Sequence, residues 1–207
     1  MKLRTWVVAS MLTCLAAFAA AQNTTAGAGG KTKSAQPSPS AAVPKVKPHP
    51  QIVRLLQALE GTWLIKEELA PDASSPNGKM GSGTILWRAG PGGFSAIEEY
   101  RSRQGEDKVT GLGELWWEDA ATGYHTIWCD STNPGGCIDF KNRAHWEDAK
   151  LVLQEDYEAN GKTFTFREEF ASITLDSFTQ TLYGGPVGGP LKVDQVIHAS
   201  RVKPSLR

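Results

Sequence analysis

The sequence predicts an all-β protein, an antiparallel up-and-down barrel of about ten strands entered through one short N-terminal helix. Three observations carry that expectation. From Trp63 onward the apolar residues keep a period of two, the period of a strand with one buried face. The turns between these segments are too short for the crossover of a dozen or more residues that parallel pairing needs. And the domain opens on Leu55-Leu56-Gln57-Ala58-Leu59-Glu60-Gly61-Thr62-Trp63, a brief apolar helix running straight into Gly-x-Trp. Ten strands in one small domain either stack as two sheets or close on themselves. The tight turns favour closure, which removes exposed edges.

Each element follows from its residues. Ile52, Leu55, Leu56 and Leu59 recur at helical spacing, and Gly61 stops that helix. Trp63–Leu69 is the first strand, ended by the turn residues of Pro71–Gly78. Gly83–Ala89 runs into Gly90-Pro91-Gly92-Gly93, and Phe94–Ser102 into Gln104-Gly105-Glu106-Asp107. Val109–Glu118 and Gly123–Cys129 flank Asp119–Thr122. Cys137–Trp146 and Leu151–Glu158 flank Glu147-Asp148-Ala149. Asn160-Gly161 is a two-residue hairpin signal, since both residues tolerate positive φ. Thr163–Ser172, Ser177–Tyr183 and, after a glycine-rich loop, Leu191–Lys203 complete the set.

The front of the chain is of another kind. Lys2 and Arg4, an apolar run from Trp6 to Phe18 and then Ala19-Ala20-Ala21 describe a secretory signal peptide over 1–21. The run is too short for a stable membrane span, which needs roughly 20 residues. Residues 22–50 are Ala, Gly, Ser, Thr, Pro and Lys with almost nothing apolar to bury, which predicts a disordered tether. The folded domain is then 51–204, in a protein exported to the periplasm or beyond. Of the 22 Lys and Arg, six lie in residues 1–50, which hold no Asp or Glu. The rest of the chain carries 16 basic against 22 acidic residues, net −6. So acidic a domain excludes nucleic acid as a partner, because phosphate neutralisation supplies most of that affinity. With Cys14 in the leader, Cys129 and Cys137 remain, an even count in an oxidising compartment, and they predict a disulfide across a hairpin loop.

Leu59-Glu60-Gly61-Thr62-Trp63 at the head of such a meander resembles the opening of the lipocalin and calycin barrels. With Gly90-Pro91-Gly92-Gly93-Phe94 and Glu98-Glu99-Tyr100, residues 50–204 look most like an uncharacterised bacterial family of secreted lipocalin-like domains. The resemblance implies that an Arg of the last strand packs over the Gly-x-Trp indole and closes the barrel base. Arg201 is so placed with respect to Trp63, and the contact is a cation–π pair. Lipocalins have eight barrel strands and a helix after them. This chain lacks that helix, and its strand count is nearer the ten-stranded fatty-acid-binding and nitrobindin-like barrels. In the latter a histidine near the C-terminal end ligates haem iron. His198 has a similar place, which makes a haem protein the second alternative to small-molecule binding.

The residues with chemistry in them are mostly rings. Trp87, Tyr100, Trp117, Tyr124, Trp128 and Tyr157 are expected to form the wall of a container for a small hydrophobic or amphipathic molecule. The other reading is that they fill the core. Alternation puts Glu98 with Tyr100, Glu155 with Tyr157 and Glu168 with Phe170. Inward rings therefore bring inward carboxylates; outward ones make a salt-bridged outer face. Glu98 and Glu155 join the expected ligand-binding set. Nothing points to catalysis. No Gly-x-Ser-x-Gly elbow occurs, no carboxylate pair is held at a glycosidase separation, and no His or Cys set has zinc spacing. Neither enzyme activity nor a cofactor is expected. A periplasmic structural or protein-interaction module, using the outward member of Trp116/Trp117, is the first alternative.

Overall fold

The computed structural model describes residues 46–73 and 75–203. The expected signal peptide, nearly all of the expected tether and residue 204 lie outside the described residues. Helix α1 spans Pro50–Leu59. Pro50 opens it with φ already helical and no N–H to satisfy, and the His49 ring accepts from the Gln51 amide at 3.2 Å. Ile52, Leu55 and Leu59 make one buried stripe. The helix ends where the Glu60 amide reaches the Leu56 carbonyl at 2.8 Å.

Eleven strands follow: β1 Gly61–Leu69, β2 Lys79–Ala89, β3 Ser95–Gln104, β4 Asp107–Glu118, β5 Gly123–Asp130, β6 Ile138–Asp139, β7 His145–Glu147, β8 Lys150–Ala159, β9 Lys162–Ala171, β10 Ser177–Pro186 and β11 Lys192–Arg201. They form one antiparallel up-and-down sheet in the order β6-β5-β4-β3-β2-β1-β11-β10-β9-β8-β7. First and last strands pair in its middle, Trp63 opposite Arg201. The expected class is therefore the observed one. Several strands outrun their expected bounds because hairpins continue the ladder through polar residues, as at Lys79–Ser82.

The expected strand Cys137–Trp146 is instead two short ones. Its first part pairs with β5 and its last part with β8. Between them a bridge joins Tyr124 and Ala144, with N–O distances of 2.7 and 2.9 Å. Asn142 also reaches β8, its amide donating to Glu155 at 2.8 Å. One stretch of chain thus bonds to both ends of a curled sheet. No straight strand can hold both ladders in register, so the backbone breaks over 140–144.

Inward residues make the core and outward ones the polar coat. On β1 Trp63, Ile65 and Glu67 face in, and Leu64, Lys66 and Glu68 face out. The helix stoppers one end of the cup. Trp146 donates to the Tyr124 hydroxyl, which donates to the Gln51 carbonyl, both at 2.8 Å. Arg54 lies 4.2 Å over the Trp146 ring. Away from the helix, Cys129 and Cys137 are bonded across the loop after β5. Closing so small a loop removes few unfolded conformations, so C129A/C137A is expected to lower stability by only ~2–3 kcal/mol. Urea unfolding of the double variant checks this.

Candidate functional site

Beyond the helix the sheet encloses a cavity of about 1080 Å³. This is the size of a small-molecule site rather than a packing defect. Alternation builds its wall. Cross-strand pairing sets Trp87, Glu98, Gly113 and Trp128 in one row over β2 to β5. On the other side Leu153, Glu168, Leu182 and Gln195 form a row over β8 to β11. Trp128 lies flat because its neighbours are glycines. A Cβ on Gly113 would come within 3.2 Å of the indole, and one on Gly111 would strike its far edge. Tyr100 meets Trp128 edge to face with centroids 6.1 Å apart, and Trp87 meets Phe170 likewise at 5.9 Å.

The polar groups buried inside the sheet divide into satisfied and unsatisfied ones. Glu67 is fully buried on β1 and takes hydrogen bonds from the Tyr100 hydroxyl, Ser102 at 2.7 Å and Gln104 at 3.1 Å. Burial, and then the neighbouring Glu67, raise the Tyr100 phenol above its ordinary value. Glu98 has no such company. It is 4 % exposed, and its Oε1 has no hydrogen-bond partner among the described residues. Burial first, and the charge of Glu168 second, push its carboxyl well above the usual carboxylate range. Burial raises Glu168 as well, against a 2.6 Å hydrogen bond from Gln180 that works the other way. Four more buried polar atoms lack partners among the described residues: Trp87 Nε1, Thr126 Oγ1, Gln180 Oε1 and Gln195 Nε2. All five residues line the cavity.

Of the residues singled out in the sequence, Trp87, Glu98, Tyr100, Trp128, Glu155 and Tyr157 line this cavity. Trp117 and Tyr124 do not. Tyr124 faces inward, but at the stoppered end, where it holds the helix. Trp117 stacks on His49 with centroids 5.0 Å apart and donates to Asp119 at 2.7 Å. Alternation gives the side of the sheet a residue faces, not its height along the barrel. Arg201 stands with its guanidinium 4.0 Å over the Trp63 ring. It also donates to the carbonyls of Glu60 and Leu175. Gly61, at φ +132°, leaves room for that side chain, which a Cβ would strike.

His198 does not support the haem alternative. It is on the outer face of β11, half exposed and 4.0 Å from Glu68, between outward Lys66 and Thr179 in the register. No histidine lines the cavity. The residues present do not fit a haem ligated from within. The buried Glu67, Thr126, Gln180 and Gln195 stand outside the expected ligand-binding set. Their signal was parity with Trp63, Trp128, Phe178 and Ile197 on the same strands.

No family model matches the chain, and no curated protein does. Among solved structures it is similar to Rv2717c from M. tuberculosis, with a TM-score of 0.48 and 14% identity over 73% of this chain and 98% of that one. So distant a likeness says nothing about the cavity's contents.

Proposed function

We propose that this domain is a non-enzymatic binding protein that holds one small, partly apolar molecule inside the barrel. The observation carrying this reading is the cavity itself, walled by rings and studded with buried polar atoms that have no partner among the described residues. Buried polar groups are nearly always hydrogen-bonded. Leaving one unmade costs about 1–3 kcal/mol, so five around one space are a standing cost that a bound molecule or ordered water removes. Small-molecule sites have this character, an apolar wall with a few placed polar groups. The Cys129–Cys137 bond supports a life in an oxidising compartment, in keeping with export under the N-terminal leader. Among the described residues no helix is long and apolar enough to cross a membrane.

The test is saturable binding of a neutral, environment-sensitive dye, N-phenyl-1-naphthylamine. One dye per protein should bind, with enhanced emission. Thr126→Phe puts a ring into the cavity from β5 and should weaken the dye by more than about tenfold, or 1.4 kcal/mol. The Tm should change little, because the cavity has space for the ring. Dye binding that ignores Thr126→Phe, or no binding at all, would sink the proposal.

A further inference from the structure

We infer that the cavity selects a protonated amine carried on an apolar body. This rests on the binding reading above and adds the sign of the ligand's charge.

Charge balance points there first. Six acidic residues line the cavity, with Glu98 and Glu168 on opposite walls and Asp130, Glu155, Asp156 and Glu158 around the open end. Among the described residues, Lys141 is the only basic one in the lining, and it is exposed, in the 140–144 break. Elsewhere this fold supplies cations freely to its carboxylates. Arg167 serves Glu147 and Glu169 at 2.9 and 2.8 Å, and Arg88 serves Glu99 at 3.0 Å. All of these pairs stand on the outer face. Among the described residues, the interior pair has no counter-ion from any element packed around it.

Hydrogen-bonding capacity points the same way, independently of charge. Of the five unpaired atoms, Glu98 Oε1 and Gln180 Oε1 are acceptors and Thr126 Oγ1 can act as one, while Trp87 Nε1 and Gln195 Nε2 are donors. The acceptors call for N–H or O–H donors on the ligand, and the two donors for water or an acceptor elsewhere on it. Glu67 is the internal control. The same barrel surrounds that carboxylate with three donors from its own side chains, so a buried acid here can be satisfied when nothing else is to be bound. Glu98 is left open.

The wall is the third feature. Trp87, Tyr100, Trp128, Phe166 and Phe170 present ring faces and edges to the same space. Aromatic faces attract a desolvated cation, and they cover an apolar body equally well. An ammonium with N–H groups matches all three features. It neutralises the acid pair, donates to the open oxygens, and makes charge-assisted bonds about twice as strong as neutral ones. A carboxylate or phosphate would face like charges and unfilled acceptors.

Three probes with one ring system separate the possibilities: 1-naphthylmethylamine, 1-naphthylmethanol and 1-naphthoate. Each is titrated calorimetrically at pH 7 into the full chain with its disulfide intact. The expected order is amine at least about tenfold tighter than alcohol, with the acid weakest. E98Q/E168Q should leave both probes bound and abolish the amine's advantage over the alcohol. Equal affinities for all three, a preference for the acid, or an amine preference that survives E98Q/E168Q would each overturn the charge inference while the binding reading stands. No binding by any probe would overturn both.

Discussion

Trp63→Ala is expected to cost about 3–5 kcal/mol, the range for removing a large buried ring. The indole is fully buried beneath the helix. It meets Phe178 edge to face with centroids 4.8 Å apart, and its Nε1 donates to the Leu59 carbonyl at 2.8 Å. That last bond ties the end of α1 to the first strand. The substitution also strips Arg201 of the ring beneath it, leaving a guanidinium over an empty volume where first and last strands pair. For a domain of this size each kcal/mol shifts Tm by about 2–4 °C, so the fall should be about 6–20 °C. Arg201→Ala should cost less, because its cation–π contact is worth about 0.5–2 kcal/mol. The double variant should be less destabilised than the two single losses added, because each partner's contribution depends on the other. A Tm for Trp63→Ala within about 2 °C of the parent would mean that this indole does not hold the barrel base together.

The second large effect runs in the opposite direction. E98Q/E168Q is expected to stabilise the ligand-free protein at neutral pH. Both carboxyls are held above their ordinary value, Glu98 by burial and then by Glu168, Glu168 by burial. The acids facing the same space, Asp130, Glu155, Asp156 and Glu158, do not relieve them, and Lys141 stands apart in the 140–144 break. With a folded pKa above the unfolded one, the native state holds protons that the unfolded chain has released. The parent therefore loses stability as pH rises from the ordinary carboxyl value, about 4.3, up to the raised folded value, and keeps that loss at higher pH. Glutamine carries no charge and has no such slope. At pH 7 the variant should be the more stable of the two, because it does not have to hold these groups against deprotonation. The difference should shrink as pH falls and vanish below about pH 4. Urea unfolding of both proteins at pH 4, 5.5 and 7 measures it. A variant less stable than the parent at pH 7 would mean that these acids are satisfied inside the protein.

Retaining two such groups sets stability against use. Selection for stability alone would place apolar or amide side chains at 98 and 168. The outer face shows that cations are easily recruited when a carboxylate needs one, as Lys150 serves Glu169 at 2.9 Å. Inside, among the described residues, none is.

Much of this was legible in the residues. Period-two segments and short turns specify an antiparallel meander wherever one face must be buried, because a one-residue slip would turn every core side chain outward. The same parity marks the inward set, including Glu98 and Glu155 and, on β1, Glu67 beside Trp63 and Ile65. Three things were not legible. The split of β6 from β7 depends on how far the sheet curls before its ends meet, a sum over the twist of every strand pair. The assignment of Tyr124 and Trp117 to the helix end depends on height along the barrel, which strand tilt and stagger set. And His198, read from its distance to the chain end, turned out to face away from the interior.

The sequence by itself determined an antiparallel meander and which side chains of a strand share a face, because hydrophobic burial and a two-residue repeat are local rules. Only the tertiary structure decided that the barrel has a hollow, and that five polar atoms around it go without partners among the described residues. Both depend on distances between side chains far apart in the chain, which no local pattern encodes.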